Sequence, residues 1–167
     1  THNVSSAASD VYKRQVPDQL LICCGGGGLS AGSAIAVKEL SKKTDIVLVE
    51  PKDYNDTQKS IKNRLRVRNK SSKKSICDAL LADMPGELTF SINKKLATDV
   101  LTVSDDEVKH AMRFAFLYFK MVVEPGGAVA LAAVLQNKIN CVDKVTALVL
   151  SGGNVDKELF AKIQRAS

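Results

Sequence analysis

The sequence has little of what several common classes of protein require. Among its 167 residues there are two histidines, His2 and His110, and the four cysteines show no Cys-x-x-Cys spacing, which argues against a zinc site. No apolar run approaches the roughly 18 residues of a transmembrane helix. There is no secretory hydrophobic region and no internal repeat. The composition therefore predicts a soluble globular protein of the cytoplasm, with its thiols reduced and without a membrane partner.

Acidic residues are missing from one strongly basic segment. Eight lysines and arginines lie between Lys59 and Lys74 with no aspartate or glutamate among them, in a chain whose formal charge is +6. The segment also has no aromatic side chains on which nucleic-acid bases could stack. We therefore interpret it as a solvated loop and helix surface and expect no nucleic-acid partner.

The first fifteen residues, THNVSSAASDVYKRQ, lack the pattern of a hydrophobic core. The string SSAASDVYKRQ resembles translated sequencing-adapter read-through, so we expect residues 1–15 to be a leader that is not native to the protein. The alternative is a native disordered tail. We assign the folded part of the chain to residues 16–167.

From residue 19 onward, short apolar runs alternate with segments of helical pattern. Runs rich in valine, isoleucine and leucine predict buried strands at 19–24, 45–50, 99–104 and 145–154. Helices are predicted at 29–43, 75–83, 88–97, 105–123, 124–138 and 156–164, the fourth of them with a capping box at its start. This alternation predicts an α/β fold in three αβα layers, with a parallel sheet covered on both faces.

Four consecutive glycines, Gly25 to Gly28, stand between the first predicted strand and the first predicted helix. At the start of a helix, backbone N–H groups and the helix dipole attract anions, and a Cβ atom would hold a phosphate away. We therefore predict that these glycines and the N–H of Leu29 bind a phosphate group. The alternative is a tight turn with nothing bound.

One phosphate-bearing ligand compatible with this loop is a dinucleotide. Gly26, Gly28 and Ala31 fit the pattern G-x-G-x-x-A, and Glu50 lies 22 residues after Gly28, where an acid that binds ribose is expected. A P-loop is excluded because no Gly-Lys-Ser/Thr follows the glycines. The dinucleotide pattern predicts a non-catalytic dinucleotide- or phosphate-binding module, but it leaves two further glycine motifs unexplained.

Those further motifs belong to a second interpretation. The segments GGGGLSAG, VEP followed by ND, SICDAL, VVEPGGAVALAA and LSGGNVD occur in this order over residues 16 to about 165. In motif and spacing the chain resembles the C-terminal half of fold-type II pyridoxal-phosphate enzymes, in the threonine/serine dehydratase and serine racemase group. The resemblance implies part of the large domain of the tryptophan synthase β-like fold, with pyridoxal 5'-phosphate as cofactor.

The resemblance also implies roles for individual residues. Gly25 to Gly28 and Leu29 would bind the cofactor phosphate, and Ser151 would place its hydroxyl against the pyridine nitrogen. A neutral hydroxyl leaves that nitrogen unprotonated, which favours elimination over transamination. Glu124 would lie near the cofactor ring. The alternatives are that Ser151 caps the last helix and that Glu124 is an acid complementing a helix dipole.

A metal site is a further implication of the resemblance. In racemase-like members a divalent cation lies beside the second strand, and its ligands would map to Glu50, the backbone carbonyl of Tyr54, and Asp56. Two carboxylates and a carbonyl suit Mg²⁺ or Ca²⁺. The alternative is a solvated acidic turn.

The Schiff-base lysine of the family is missing. It lies in a motif like S-F-K-x-R-G, which does not occur here, and Lys38, Lys42 and Lys43 lack its context. We therefore expect no turnover from this chain alone. The complete enzyme, typically a homodimer in this family, would convert a hydroxy-amino acid to a 2-oxo acid and ammonia. Racemisation is the related activity, because both reactions begin with the same proton abstraction.

Overall fold

The sheet contains four parallel strands. The computed structural model describes residues 16–70 and 73–165, so the predicted leader of residues 1–15 lies outside the described residues. The strands are β1 (Gln19–Cys23), β2 (Asp45–Pro51), β3 (Asp99–Val103) and β4 (Thr146–Leu148). Their spatial order is β3-β2-β1-β4, and β1 pairs in parallel with both β2 and β4. The predicted parallel sheet is therefore confirmed.

Within the described part of the chain, six α-helices flank this sheet. They are α1 (Gly28–Leu40), α2 (Asp56–Asn63), α3 (Glu87–Leu96), α4 (Asp105–Phe114), α5 (Pro125–Leu135) and α6 (Lys157–Arg165). Successive side chains of a strand point to opposite faces of the sheet. Leu21 and Cys23 of β1 accordingly join a core with α4, α5 and α6, whereas Leu20 and Ile22 join a second core with α1, α2 and α3. Helices cover both faces, which confirms the three predicted layers.

Several predicted elements differ from the observed ones. The predicted helix at 75–83 is only a 3₁₀ turn, Asp78–Leu80, in an otherwise irregular segment. The predicted helix at 105–123 is too long: α4 passes into a π-helical turn at Ala115–Phe119 and ends at Lys120, whose φ is +58°. Helix α2 was not predicted. The last strand is confined to three residues of the predicted 145–154.

The cysteines are free thiols. Cys23, Cys24 and Cys77 are buried and Cys141 is half-buried. Within residues 16–70 and 73–165, no helix has the length and apolar character needed to cross a bilayer.

Candidate functional site

A cleft of about 290 Å³ opens beside the ends of β1 and β4. In an open parallel sheet, ligands bind at the carboxyl ends of the strands, so this is where a site is expected. The lining residues are Cys23, Gly25, Gly26, Gly27, Gly28, Leu29, Ser30, Ala79, Leu80, Glu124, Gly126 and Ser151. All seven residues that the sequence analysis assigned to the cofactor therefore line one cleft.

The glycine loop leaves its N–H groups available. Gly27 adopts φ +88°, in the left-handed region that favours glycine, and α1 begins at the next residue. A Cβ atom added at Gly26 or Gly28 would meet no other atom within 4 Å, so both face open space. Within the described residues, no N–H group from Gly26 to Leu29 donates to a backbone carbonyl. These donors at a helix N-terminus suit an anion such as a phosphate ester.

The hydroxyl of Ser151 lies against a buried thiol. Its Oγ is 3.3 Å from the Sγ of Cys23, the last residue of β1. Burial raises the pKa of the Cys23 thiol, so the sulfur keeps its proton at neutral pH. The hydroxyl does not cap α6: Asp156 accepts the N–H groups of Glu158 and Leu159 at that helix start. The capping alternative for Ser151 is therefore wrong.

Glu124 joins the start of α5 to the glycine turn that follows β4. Its backbone N–H donates to the Gly152 carbonyl at 2.9 Å, and its carboxylate accepts the Asn154 N–H at 3.1 Å. A Cβ at Gly152 would lie 2.5 Å from Oε1 of Glu124, so only glycine allows this approach. The carboxylate makes no capping bond to its own helix. It holds the Ser151 turn beside the cleft instead.

No lysine is present among the described residues that line the cleft. The Nζ of Lys38 donates to the carbonyls of Lys42 and Thr44, near the far end of α1. Lys42 and Lys43 follow that end of the helix.

The three predicted metal ligands lie outside the cleft lining. Glu50, at the end of β2, is fully buried, and its two carboxylate oxygens accept the N–H groups of Thr57 and Gln58, each at 2.9 Å. It thereby caps α2 from a neighbouring strand. Because Glu50 is fully buried and lies outside the cleft lining, a ribose bound in the cleft would not reach its carboxylate, and the dinucleotide interpretation has no acid to bind the ribose.

Asp56 is the unusual member of this group. It is fully buried, yet neither of its carboxylate oxygens has a hydrogen-bond partner within the described residues. Burial raises the pKa of Asp56 to about 6 and that of Glu50 to about 8. The alternative of a solvated acidic turn is therefore wrong. Two buried carboxyl groups, one without a donor, fit a hard cation, although the described residues hold no cluster of three acidic, histidine or cysteine ligands.

Two residues that line the cleft were not predicted from the sequence. Cys23 looked like an ordinary strand residue, and its contact with Ser151 joins positions 128 residues apart. Leu80 was predicted to lie in a helix, but a Cβ at Gly25 would come within 3.0 Å of its Cα, so the 3₁₀ turn packs directly on the loop. No local pattern indicates either contact.

Fold and cleft together define a class: an α/β domain with an open parallel sheet and, at a helix N-terminus, a cleft whose free N–H groups suit a small phosphate-bearing ligand. The sequence model of the family described as "Pyridoxal-phosphate dependent enzyme" matches residues 5–152. The chain therefore belongs to the pyridoxal-phosphate dependent enzyme family.

Comparison with individual relatives indicates which members of this family the chain is similar to. The chain is 37% identical over 157 residues to a serine racemase of Schizosaccharomyces pombe, covering 93% of this chain and 48% of that protein. It is 39% identical over 146 residues to an L-threo-3-hydroxyaspartate ammonia-lyase of Saccharomyces cerevisiae, covering 87% and 44%. The crystal structure of a T.th. threonine deaminase superposes with a TM-score of 0.81 at 36% identity, covering 92% and 51%. The chain thus spans about half the length of these relatives.

Proposed function

We propose that the chain is the C-terminal cofactor-binding part of a pyridoxal-phosphate-dependent ammonia-lyase that acts on a hydroxy-amino acid. The observation that carries this proposal is the cleft, in which the open N–H groups of the glycine loop face the same space as Ser151 and Glu124. The names of its relatives, ammonia-lyases and racemases of small amino acids, support the substrate class.

Each residue has a distinct task in this proposal. The N–H groups of Gly25 to Gly28 and of Leu29 would bind the phosphate, and the dipole of α1 adds partial positive charge. Ser151 would orient the pyridine nitrogen through its hydroxyl, which leaves that nitrogen without a proton. Glu124 would fix the Ser151 turn and border the ring. When bound, the cofactor supplies the electron sink for loss of the α-proton and the β-hydroxyl.

The first test is binding, because the described cleft contains no lysine and the chain alone should not turn over substrate. We expect the chain to bind pyridoxal 5'-phosphate at least about tenfold more tightly than pyridoxal, since the loop offers donors for a phosphate. Equilibrium dialysis against both compounds measures this ratio. Ser151→Ala should keep the ratio while changing the ¹⁵N chemical shift of the bound ring nitrogen. Equal affinity for the two compounds would contradict the proposal.

We propose that the enzymatic reaction requires a longer polypeptide, of about the length of the relatives. A long sequencing read upstream of the Val16 codon is expected to show about 150 further codons, with a lysine in an S-x-K-x-R-G context in place of residues 1–15. That protein, expressed whole and expected to be a homodimer, should release a 2-oxo acid from serine, threonine or 3-hydroxyaspartate. Ser151→Ala should lower this rate. If the upstream reading frame encodes no such lysine, the chain is instead a non-catalytic phosphate-binding module.

We also propose that Glu50, Asp56 and the carbonyl of Tyr54 hold Mg²⁺ or Ca²⁺. The support is the buried Asp56 carboxyl group, whose two oxygens lack a donor. A cation at 100 times its dissociation constant adds about 2.7 kcal/mol of stability. We therefore expect either ion to raise the melting temperature relative to a chelator. Asp56→Asn should abolish that rise, whereas Asp53→Asn, at a nearby half-buried acid paired with Lys73, should retain it. A rise that survives in Asp56→Asn would contradict this site.

A further inference from the structure

Helix α3 holds the glycine loop from outside the cleft. The hydroxyl of Thr89 donates to the Gly26 carbonyl at 2.6 Å, across 63 residues of sequence. The Gly86 N–H donates to the same carbonyl at 3.3 Å. Glycine has the greatest backbone freedom of any residue, so a loop of four needs such bonds to keep one conformation. The start of α3 therefore fixes the peptide that joins Gly26 to Gly27.

A second side chain of α3 acts through Ser30. Asn93 is buried, and its Nδ2 donates to the Oγ of Ser30 at 3.0 Å. Because the serine oxygen accepts this bond, its own proton is free to be donated, and the Gly27 carbonyl lies 3.1 Å away. Gly27 is the residue with φ +88°. The Ala31 N–H also donates to the Gly27 carbonyl, at 2.9 Å, so the first turn of α1 and the Ser30–Asn93 pair together fix the peptide that joins Gly27 to Gly28.

Fixing a carbonyl also fixes the next N–H group. In a planar trans peptide the C=O and the following N–H point in opposite directions. Because the carbonyl of Gly26 points toward α3, the N–H of Gly27 points away from α3. The carbonyl of Gly27 points toward Ser30 and Ala31 of α1, so the N–H of Gly28 points away from that helix. Neither N–H donates to a backbone carbonyl in the described part of the chain.

We propose that Thr89 and Asn93 are positioning residues for anion binding: they hold the loop so that the N–H groups of Gly27 and Gly28 converge on a phosphate ester. Neither residue lines the cleft, and both act through the loop. The identity of the ester, pyridoxal 5'-phosphate, rests on the function proposed above. The positioning itself applies to any phosphate in the cleft.

The test compares three substitutions on one helix. Thr89→Val keeps the shape of the side chain and removes its hydroxyl, and Thr89→Ser keeps the hydroxyl. Ser91→Ala is the matched control, because among the described residues the Ser91 hydroxyl bonds within its own helix, to the Leu88 carbonyl. We expect Thr89→Val to weaken pyridoxal 5'-phosphate about tenfold and pyridoxal not at all. Thr89→Ser and Ser91→Ala should bind both compounds like the unsubstituted chain.

Amide NMR of the unsubstituted chain gives a readout that does not depend on any variant's stability. Adding inorganic phosphate to the unsubstituted chain should shift the Gly27 and Gly28 N–H resonances downfield. Asn93→Leu should reduce the shift at Gly28 more than the shift at Gly27. Unshifted glycine resonances, or a folded Thr89→Val with unchanged phosphate affinity, would overturn the proposal.

The outcomes also separate this inference from the proposed function. Phosphate binding that depends on Thr89, but without preference for pyridoxal 5'-phosphate over inorganic phosphate, would support the positioning role and contradict the cofactor assignment. Tight pyridoxal 5'-phosphate binding that is indifferent to Thr89 and Asn93 would support the cofactor and overturn the positioning role.

Discussion

Gly27 and Gly28 are adjacent in the sequence, but a methyl group added to each would have very different surroundings. At Gly28 the new Cβ would meet nothing within 4 Å, whereas at Gly27 it would lie 2.9 Å from Oγ1 of Thr89 on a backbone with φ +88°. We therefore expect Gly28→Ala to fold normally and to lose at least about tenfold in affinity for pyridoxal 5'-phosphate, because the methyl group occupies space beside the N–H donors.

Gly27→Ala should instead destabilise the fold by about 1–2 kcal/mol, since an L side chain is strained at this φ. Urea unfolding and phosphate titration of both variants separate the two effects. If Gly28→Ala bound the cofactor as well as the unsubstituted chain, the open space at Gly28 would not be where the phosphate lies.

The presence of a residue in the cleft was predictable from the sequence where its motif is contiguous. The glycine loop, Glu124 and Ser151 each stand in a short run with its own chemistry, and the cleft contains all of them. Thr89, Asn93 and Cys23 were not predictable, because their partners lie 63 or 128 residues away. Glu50 is a third case. The spacing between Gly28 and Glu50 suits an acid that binds ribose, but the burial of Glu50 beside α2, which the spacing does not indicate, excludes that role.

At the scale of elements, the start of α4 depends on charge as well as on hydrogen bonds. Ser104 and Glu107 form the predicted capping box, and Lys138 lies 2.9 Å from the Glu107 carboxylate. Burial raises the pKa of Glu107, but the bonds from Lys138 and Ser104 outweigh it, so the pKa is lowered from 4.5. A carboxylate with a lowered folded pKa stabilises the fold above its unfolded pKa and loses that contribution as the pH falls through the folded pKa.

Glu107→Gln keeps the capping hydrogen bond but removes the charge. We expect it to lower the free energy of unfolding at neutral pH by about 0.5 kcal/mol and to have less effect at an acidic pH below the folded pKa of Glu107, where the carboxyl is protonated. Ser104→Ala should cost about 1 kcal/mol at both pH values, because it removes a cap rather than a charge. Urea unfolding at the two pH values measures both. A pH-independent effect of Glu107→Gln would show that the ion pair contributes nothing.

Element boundaries were harder to predict than element types. The apolar run after α4 continues a helical pattern, but Lys120 adopts a left-handed conformation and the chain becomes extended. Helix α2 is polar and carries no apolar periodicity, and a carboxylate from β2 accepts its first N–H groups. Its start therefore depends on a tertiary contact that no local pattern contains.

At the scale of the whole molecule, the strand at one border of the sheet is only partly covered. β1 is buried between two strands, whereas β4 borders the sheet and its residues are only half-buried. An exposed apolar surface follows α4, and we call it the apolar flank; it comprises Phe116, Leu117, Tyr118, Phe119, Met121 and Val122. The chain spans about half the length of its relatives. We propose that the remaining half of a complete enzyme covers this flank.

If the flank is an uncovered interface, the isolated chain should bind anilinonaphthalene sulfonate and self-associate. Leu117→Lys places a charge on the flank, where the leucine is 56% exposed, and Leu40→Lys places the same charge at the end of α1, where the leucine is 87% exposed. We expect only the first substitution to reduce dye fluorescence and shift sedimentation toward the monomer, with both variants keeping their stability within about 0.5 kcal/mol. If the two substitutions had equal effects, scattered exposed leucines, and not one contiguous surface, would cause the association. The apolar flank would then not be the surface that the proposed other half of the enzyme covers.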